Sequence, residues 1–260
     1  MKLGHLLPLA AAAAAAALCA CGGPNTAVRS AVPRKGAADI SESDEYYLGR
    51  GVAAQILGKY KPLDNPRLNL YVRVLGQAVA LASDRPYTFI GYRFQVLDSD
   101  ELNAFAAPGG FIFVTKALVD KTTSEDELAG VLAHEIAHVS LKHGLKTIRA
   151  ARLASASSIT AFEGSIDDVV GALVVDGYSR DKEYEADKLG AVYAGRAGYD
   201  PRGLARVIAR LKGAPGAGLM KTHPHPEFRL EKLQGVKTPA DYKPSAKRDA
   251  RFKKSVAATS

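Results

Sequence analysis

The chain has 260 residues, 47% of them hydrophobic, and a formal net charge of +8 at pH 7. This composition excludes an intrinsically disordered chain, and the length suits one domain with appendages. Residues 236–260 hold seven Lys or Arg against two Asp, whereas residues 43–235 hold 24 basic against 23 acidic side chains. The central domain is therefore nearly neutral, which argues against a nucleic-acid-binding protein.

The N-terminus has the pattern of a secretory signal, because an apolar run too short to span a bilayer comfortably ends in small residues. The sequence Leu18-Cys19-Ala20-Cys21 resembles a bacterial lipobox, which implies cleavage before a lipid-bearing Cys21. We predict a signal peptide over 1–20 and a flexible tether over 21–42. Gly22 after the lipidated residue favours the outer membrane, with the domain facing the periplasm. The alternative is an ordinary cleaved signal.

The remaining chain predicts an α+β fold, mainly helical with a small antiparallel sheet, in a domain covering 43–235. The sheet is predicted from the alternating segment Tyr92–Leu97 and the apolar run Phe111–Val114. Residues 236–260 are predicted to be a disordered basic tail. Apolar spacing and capping residues predict helices over 46–60, 66–82, 123–139, 168–196, 201–211 and 226–233.

The sequence His134-Glu135-Ile136-Ala137-His138 lies inside the predicted helix 123–139. Residues four apart project from one helix face, which places the two imidazoles about 6 Å apart along the axis, within reach of one ion. Zinc is bound by two imidazoles in this way, and Glu135 can accept the proton of the metal-bound water as it attacks a peptide carbonyl. The motif therefore predicts a catalytic zinc with His134 and His138 as ligands and Glu135 as general base.

A catalytic zinc needs a third protein ligand and an open fourth position. Glu183 and Asp187 lie four apart on the predicted helix 168–196, so one can bind the metal while the other orients a ligand imidazole. Spacing alone leaves Glu185 and Glu163 open as ligands.

Four blocks occur in order along the chain: Asn103–Gly110, His134–His138, Ser179–Asp187 and Thr222–Arg229. Through these blocks the sequence resembles the HtpX-like and prenyl-protease-like gluzincin zinc metallopeptidases, especially their periplasmic BepA-like branch. The resemblance implies one Zn²⁺ per chain, Glu183 as the third ligand and Asp187 as the carboxylate that orients a ligand imidazole without binding the metal. It also implies that the segment Gly110-Phe111-Ile112-Phe113-Val114 is an edge strand that binds the substrate backbone.

A further histidine distinguishes this chain from a plain three-ligand site. In BepA-like relatives, the histidine matching His223 can occupy the fourth zinc position, which displaces the water. We therefore expect the loop from Gly213 to His225 to be a gate; the alternatives are transition-state stabilisation by His223 or no contact at all. Arg229 is expected to brace this loop by pairing with an acidic residue. His143 and His225 are predicted to be surface histidines.

Taken together, these features predict a zinc-dependent endopeptidase that hydrolyses unfolded or misassembled cell-envelope proteins. The alternative is a periplasmic lipoprotein chaperone with a latched zinc site, and Glu135 argues against it because metal binding does not need that carboxylate. We expect no helical repeat domain after the catalytic part, which makes the chain similar to compact outer-membrane lipoprotein peptidases. The expected partners are unfolded proteins and, through the lipid, the membrane, with no nucleic acid. The basic tail is a candidate contact for anionic lipid.

Overall fold

The computed structural model describes residues 40–155, 177–213 and 218–256. The predicted signal peptide, the lipid site at Cys21, nearly all of the tether and Glu163 lie outside these residues. Where the chain is described, no helix is long and apolar enough to cross a membrane. The strands are β1 (Lys61–Pro62), β2 (Arg93–Asp98), β3 (Ala104–Ala107) and β4 (Phe111–Thr115). The helices are α1 (Glu42–Lys59), α2 (Pro66–Leu81), α3 (Lys116–Lys121), α4 (Glu125–Ser140), α5 (His143–Ser155), α6 (Arg180–Arg196), α7 (Gly203–Leu211), α8 (Leu219–Thr222), α9 (Pro226–Leu233) and α10 (Ala246–Val256).

The fold class is confirmed as α+β and mainly helical, but the sheet is mixed rather than antiparallel. Its strand order is β1-β2-β4-β3, with β4 parallel to β2 and antiparallel to β3. The reason is the tight turn at Pro108–Gly110, where both glycines have positive φ. This turn folds β3 back on β4 and leaves β4 running in the same direction as β2.

The same topology corrects the predicted substrate-binding strand. The segment Gly110–Val114 was expected at the edge of the sheet, but β4 is an interior strand paired on both sides. Gly110 belongs to the turn before it. The edge strand nearest the histidine helix is β3, which packs against α4.

The two faces of the sheet are covered by different helices. On one face, Phe94, Val96, Ile112 and Val114 pack in a core shared with α2 and α4. On the other face, the smaller core around Phe113 includes residues of α1. Side chains alternate between these faces along each strand, as a sheet buried on both sides requires.

Helix α4 lies at the centre of the fold, and nearly all its residues are buried. It begins where the sequence predicts: Ser124 Oγ accepts a hydrogen bond from Glu127 N, and Glu127 accepts one from Thr123 N. Helix α6 approaches it closely, since a Cβ added at Gly190 would lie 3.0 Å from the backbone nitrogen of His134. This approach brings the carboxylates of α6 to the histidines of α4.

The C-terminal segment is not the disordered tail that its composition predicted. Residues 246–256 form α10, which contacts α2 and α4. Phe252 is only 6% exposed and packs into the main core, and Arg251 pairs with the buried Glu125. The prediction was wrong because a single buried aromatic ring and a few ion pairs anchor a segment whose other residues are mostly exposed and basic.

Candidate metal centre

Four buried side chains converge at the middle of α4. His134 and His138 come from α4, Glu183 from the first turn of α6, and His223 from the residue that ends α8. One potential ligand atom from each lies within 4.8 Å of the others. The structure thus brings together the three predicted ligands and the candidate fourth one.

The separations of these atoms fit a tetrahedral zinc site. His138 Nε2 lies 3.0 Å from His134 Nε2 and 3.4 Å from Glu183 Oε1. His223 Nδ1 lies 3.1 Å from both His134 Nε2 and Glu183 Oε1. A tetrahedron with metal–ligand bonds of about 2.0–2.1 Å has edges of about 3.3–3.4 Å, so these four atoms can surround one zinc ion.

The electrostatics of the cluster also favour a bound cation. Burial and repulsion from His134 lower the pKa of His138, which keeps that imidazole neutral as a metal ligand must be. Burial and Arg229 act to lower the pKa of His134, but Asp187 and Glu183 outweigh them and raise it to about 9. In the absence of an ion, the carboxylates therefore draw a proton onto His134.

Asp187 lies behind the ligands, one helical turn beyond Glu183. Its Oδ1 is 2.9 Å from His134 Nδ1, an ion-pair distance, although the ring is not oriented for a full hydrogen bond. Arg229 from α9 donates two hydrogen bonds to Asp187, of 2.8 and 2.7 Å, and its Nη1 lies 3.2 Å from Glu183 Oε2. Burial raises the pKa of Asp187, but Arg229 outweighs it and keeps the carboxyl ionised.

The same arginine holds the segment that carries His223. Arg229 Nη1 donates to the carbonyl oxygen of His223, 3.2 Å away. Arg229 thus pairs with acidic residues and braces the loop, as its position in the sequence suggested. His225, next to this contact, is exposed and has a left-handed φ of 64° before Pro226.

His143 corrects a sequence-based prediction, because it is fully buried and not a surface residue. Its Nδ1 lies 2.9 Å from His138 Nδ1, and its Nε2 lies 3.0 Å from Glu185 Oε2. If His138 binds a metal through Nε2, its Nδ1 donates to His143, which then donates from Nε2 to Glu185. Glu185 belongs to this chain of hydrogen bonds and lies outside the ligand group.

The burial of His143 follows from the turn that separates α4 from α5. Lys142 adopts a left-handed φ of 55°, and α5 begins at the next residue. The ring is thereby directed back at His138, which Tyr178 covers on another side in a stacked arrangement with 4.1 Å between ring centroids. The contact of Tyr178 with His138 could not be predicted from the sequence. For the contact of His143 with His138, the sequence offers only their spacing of five residues.

Glu135 is fully buried beside the ligand group, and its carboxylate makes no hydrogen bond to any described residue. Its Oε1 lies 3.5 Å from His223 Nε2. Burial raises its pKa above the usual range of a glutamate, which makes the carboxylate a stronger base. Glu135 thus provides a buried carboxylate of raised pKa beside the ligand group.

Comparison with known proteins agrees with this geometry. A family model described as Peptidase family M48 matches residues 66–237. The chain is similar to the beta-barrel assembly-enhancing protease of Escherichia coli K12 (27% identity, 74% of this chain and 43% of the relative). It is also similar to its putative counterpart in Vibrio cholerae (31% identity, 65% and 39%), and to metalloprotease YcaL of Escherichia coli K12 (28% identity, 81% and 86%).

The chain spans less than half the length of the first two of these relatives, whereas it covers most of the third. The family model includes all four residues of the ligand group and Glu135. The resemblance to BepA-like metallopeptidases is therefore confirmed, together with the zinc cofactor and the peptidase activity that it implies. The chain belongs to peptidase family M48 and is a zinc-dependent metalloendopeptidase.

Proposed function

We propose that this metalloendopeptidase hydrolyses unfolded or misassembled proteins of the cell envelope, with Glu135 as general base. The observation that carries the proposal is the buried Glu135 carboxylate, which forms no hydrogen bond to any described residue and lies on α4 between two ligand histidines in sequence. When bound, zinc supplies a water of lowered pKa and a Lewis acid for the peptide carbonyl. A carboxylate outside the ligand group that forms no hydrogen bond to any described residue is available to take a proton from that water.

We further propose that His223 latches the site. It approaches two ligand residues to 3.1 Å, so it can fill the fourth position that a catalytic water needs. The segment carrying it is tied to the two residues just before β3, since Leu219 N donates to Leu102 O and Thr222 Oγ1 donates to Asn103 Oδ1. Tyr178 N and Arg229 Nη1 also donate to the carbonyl oxygens of Thr222 and His223, so a substrate that releases the latch must displace these bonds as well.

The substrate backbone is proposed to pair with β3, the strand at the sheet edge next to α4. A small cavity between Phe105 and Tyr178 separates this strand from the segment that carries His223. Entry of an extended peptide here requires that segment to move, so strand addition and release of His223 are one event. An unfolded chain supplies such extended segments, whereas a folded protein does not.

The location in the envelope rests on the N-terminal sequence, and the proposed anchor is a lipid on Cys21. Replacing Cys21 by alanine should move the protein to the soluble fraction, and unchanged membrane association contradicts the anchor. Exposed lysines on α10, such as Lys253, are proposed contacts for anionic lipid.

The first test is casein degradation by the fragment that begins at Gly22, compared with its Glu135→Gln variant after zinc content is measured in both. Loss of cleavage with zinc retained supports a peptidase with Glu135 as base. If neither protein cleaves while each binds one zinc, the second candidate, a latched chaperone, is favoured by the position of His223. His223→Ala then distinguishes them, because removal of a latch raises cleavage.

A further inference from the structure

A groove lies on the sheet face opposite α4, where α1 leaves part of the sheet uncovered. It has a volume of about 470 Å³ and runs between α1 and the start of β2. Its floor is apolar and includes Leu57, Phe111 and Phe113. This size falls within the range of sites that hold a ligand or a short peptide segment.

Three exposed arginines line this groove: Arg50 from α1, Arg73 from α2 and Arg93 from β2. Within the described residues, none of the three forms an ion pair, and no acidic residue lines the groove. The positive charge of the groove is therefore not neutralised by the protein.

This local excess contrasts with the rest of the domain, whose basic and acidic residues nearly balance. Arg50 is held at the rim, with its guanidinium 5.3 Å from the ring centroid of Tyr47. Guanidinium groups match carboxylates in a planar, bidentate geometry, and an apolar floor binds aliphatic or aromatic side chains. The complementary ligand carries carboxylates and apolar groups together.

We propose that this groove, defined by Arg50, Arg73, Arg93 and the floor at Phe113, binds acidic, apolar segments of polypeptides away from the metal centre. A peptide suits it better than a membrane, since a single extended chain enters a concave groove and a bilayer surface does not. The proposal adds a docking step to the proposed function. It rests on that function only in taking the bound polypeptides to be unfolded substrates of the peptidase. The groove holds one part of an unfolded chain while another part reaches β3.

The test measures binding without cleavage, using the full chain with Glu135→Gln, purified in a neutral detergent. The probe is a fluorescein-labelled octapeptide, Asp-Phe-Glu-Leu-Asp-Phe-Glu-Leu, and its partner has Asn and Gln in place of Asp and Glu. The test variant combines Arg50→Gln, Arg73→Gln and Arg93→Gln. The control removes the same net charge through Gln substitutions at three exposed lysines that do not line the groove: Lys188, Lys237 and Lys243.

We expect the arginine variant to weaken binding of the acidic octapeptide at least tenfold, measured by fluorescence anisotropy, and the lysine variant to change it less than twofold. The neutral octapeptide should bind weakly to every protein. Equal weakening by both variants overturns the proposal, because it indicates attraction to net charge alone. The proposal also fails if the arginine variant binds anionic vesicles more weakly than the parent protein does but binds the acidic octapeptide equally well.

Circular dichroism melts check that both variants fold. Because binding is read in an inactive protein, failure of casein cleavage in the wild type tests the peptidase proposal and leaves this result unaffected.

Discussion

Replacing Phe252 by alanine should lower the stability of the whole domain, although the residue lies eight positions from the end of the chain. Its ring is only 6% exposed and belongs to the main core cluster, through contacts of α10 with α2 and α4. Truncation of a buried Phe costs about 3–5 kcal/mol, and a terminal helix can relax, so we expect about 3 kcal/mol. For a domain of this size, that loss lowers Tm by about 6–12 °C.

The assay is thermal unfolding followed by circular dichroism, with Lys253→Ala as the matched control on the exposed side of the same helix. An exposed substitution of this kind changes stability by at most about 0.5 kcal/mol, or about 2 °C. If Phe252→Ala melts within 2 °C of the wild type, α10 does not belong to the cooperative core. The same conclusion follows if hydrogen exchange finds the amides of α10 unprotected while those of α4 are protected.

Three further predictions concern the ligand group and the ends of α4. Removal of zinc by a chelator should lower Tm by about 8–16 °C relative to a sample whose free zinc concentration is about 1,000 times the Kd. Thermal melts with added zinc and with the chelator check this difference. His143→Ala should weaken zinc binding about 10–100-fold, measured by competition with a chromophoric chelator, because His138 Nδ1 then has no partner; His225→Ala, at an exposed position, should leave binding unchanged. Burial raises the pKa of Glu127, but Arg210 and the Thr123 amide outweigh it and lower the pKa below its usual value. The pair therefore contributes its full stabilisation above the unfolded-state pKa near 4.5 and loses it as the pH falls through the lower folded-state pKa. Arg210→Ala should cost about 1 kcal/mol in urea unfolding at pH 7, and progressively less as the pH is lowered below 4.5.

The metal centre was largely predictable because its signals are local. The spacing of His134 and His138 requires only a helix, and the capping residues around Ser124 predict where that helix begins. Glu183 and Glu185 could not be distinguished by spacing, since both lie on α6. The structure separates them: Glu183 faces the histidines, whereas Glu185 is half exposed and bonds to His143.

The features that sequence reasoning missed depend on contacts between distant segments. Strand β3 consists of Phe105 and three alanines, and alanine does not favour a strand by propensity, so its pairing with β4 makes this segment a strand. The interior position of β4 follows from the same pairing. The docked C-terminal helix was missed because its apolar content is small, and Phe252 is not distinguishable in sequence from an exposed aromatic residue.

The ordered C-terminal segment bears on catalysis through the first turn of α4. Glu125 is buried and bonds to Arg251 of the tail, with Tyr71 and Tyr199 donating to the same carboxylate. The next residue, Asp126, accepts hydrogen bonds from the Tyr242 hydroxyl and the Asp200 amide.

Acidic side chains at a helix N-terminus are favourable by themselves, but here each is also bound to a different segment of the chain. The helix that carries His134, Glu135 and His138 is therefore held at its beginning by the tail and at its middle by α6. A shift of α4 by a fraction of an ångström would disturb ligand distances of about 3 Å, so these ion pairs help to set the metal geometry from the far end of the helix.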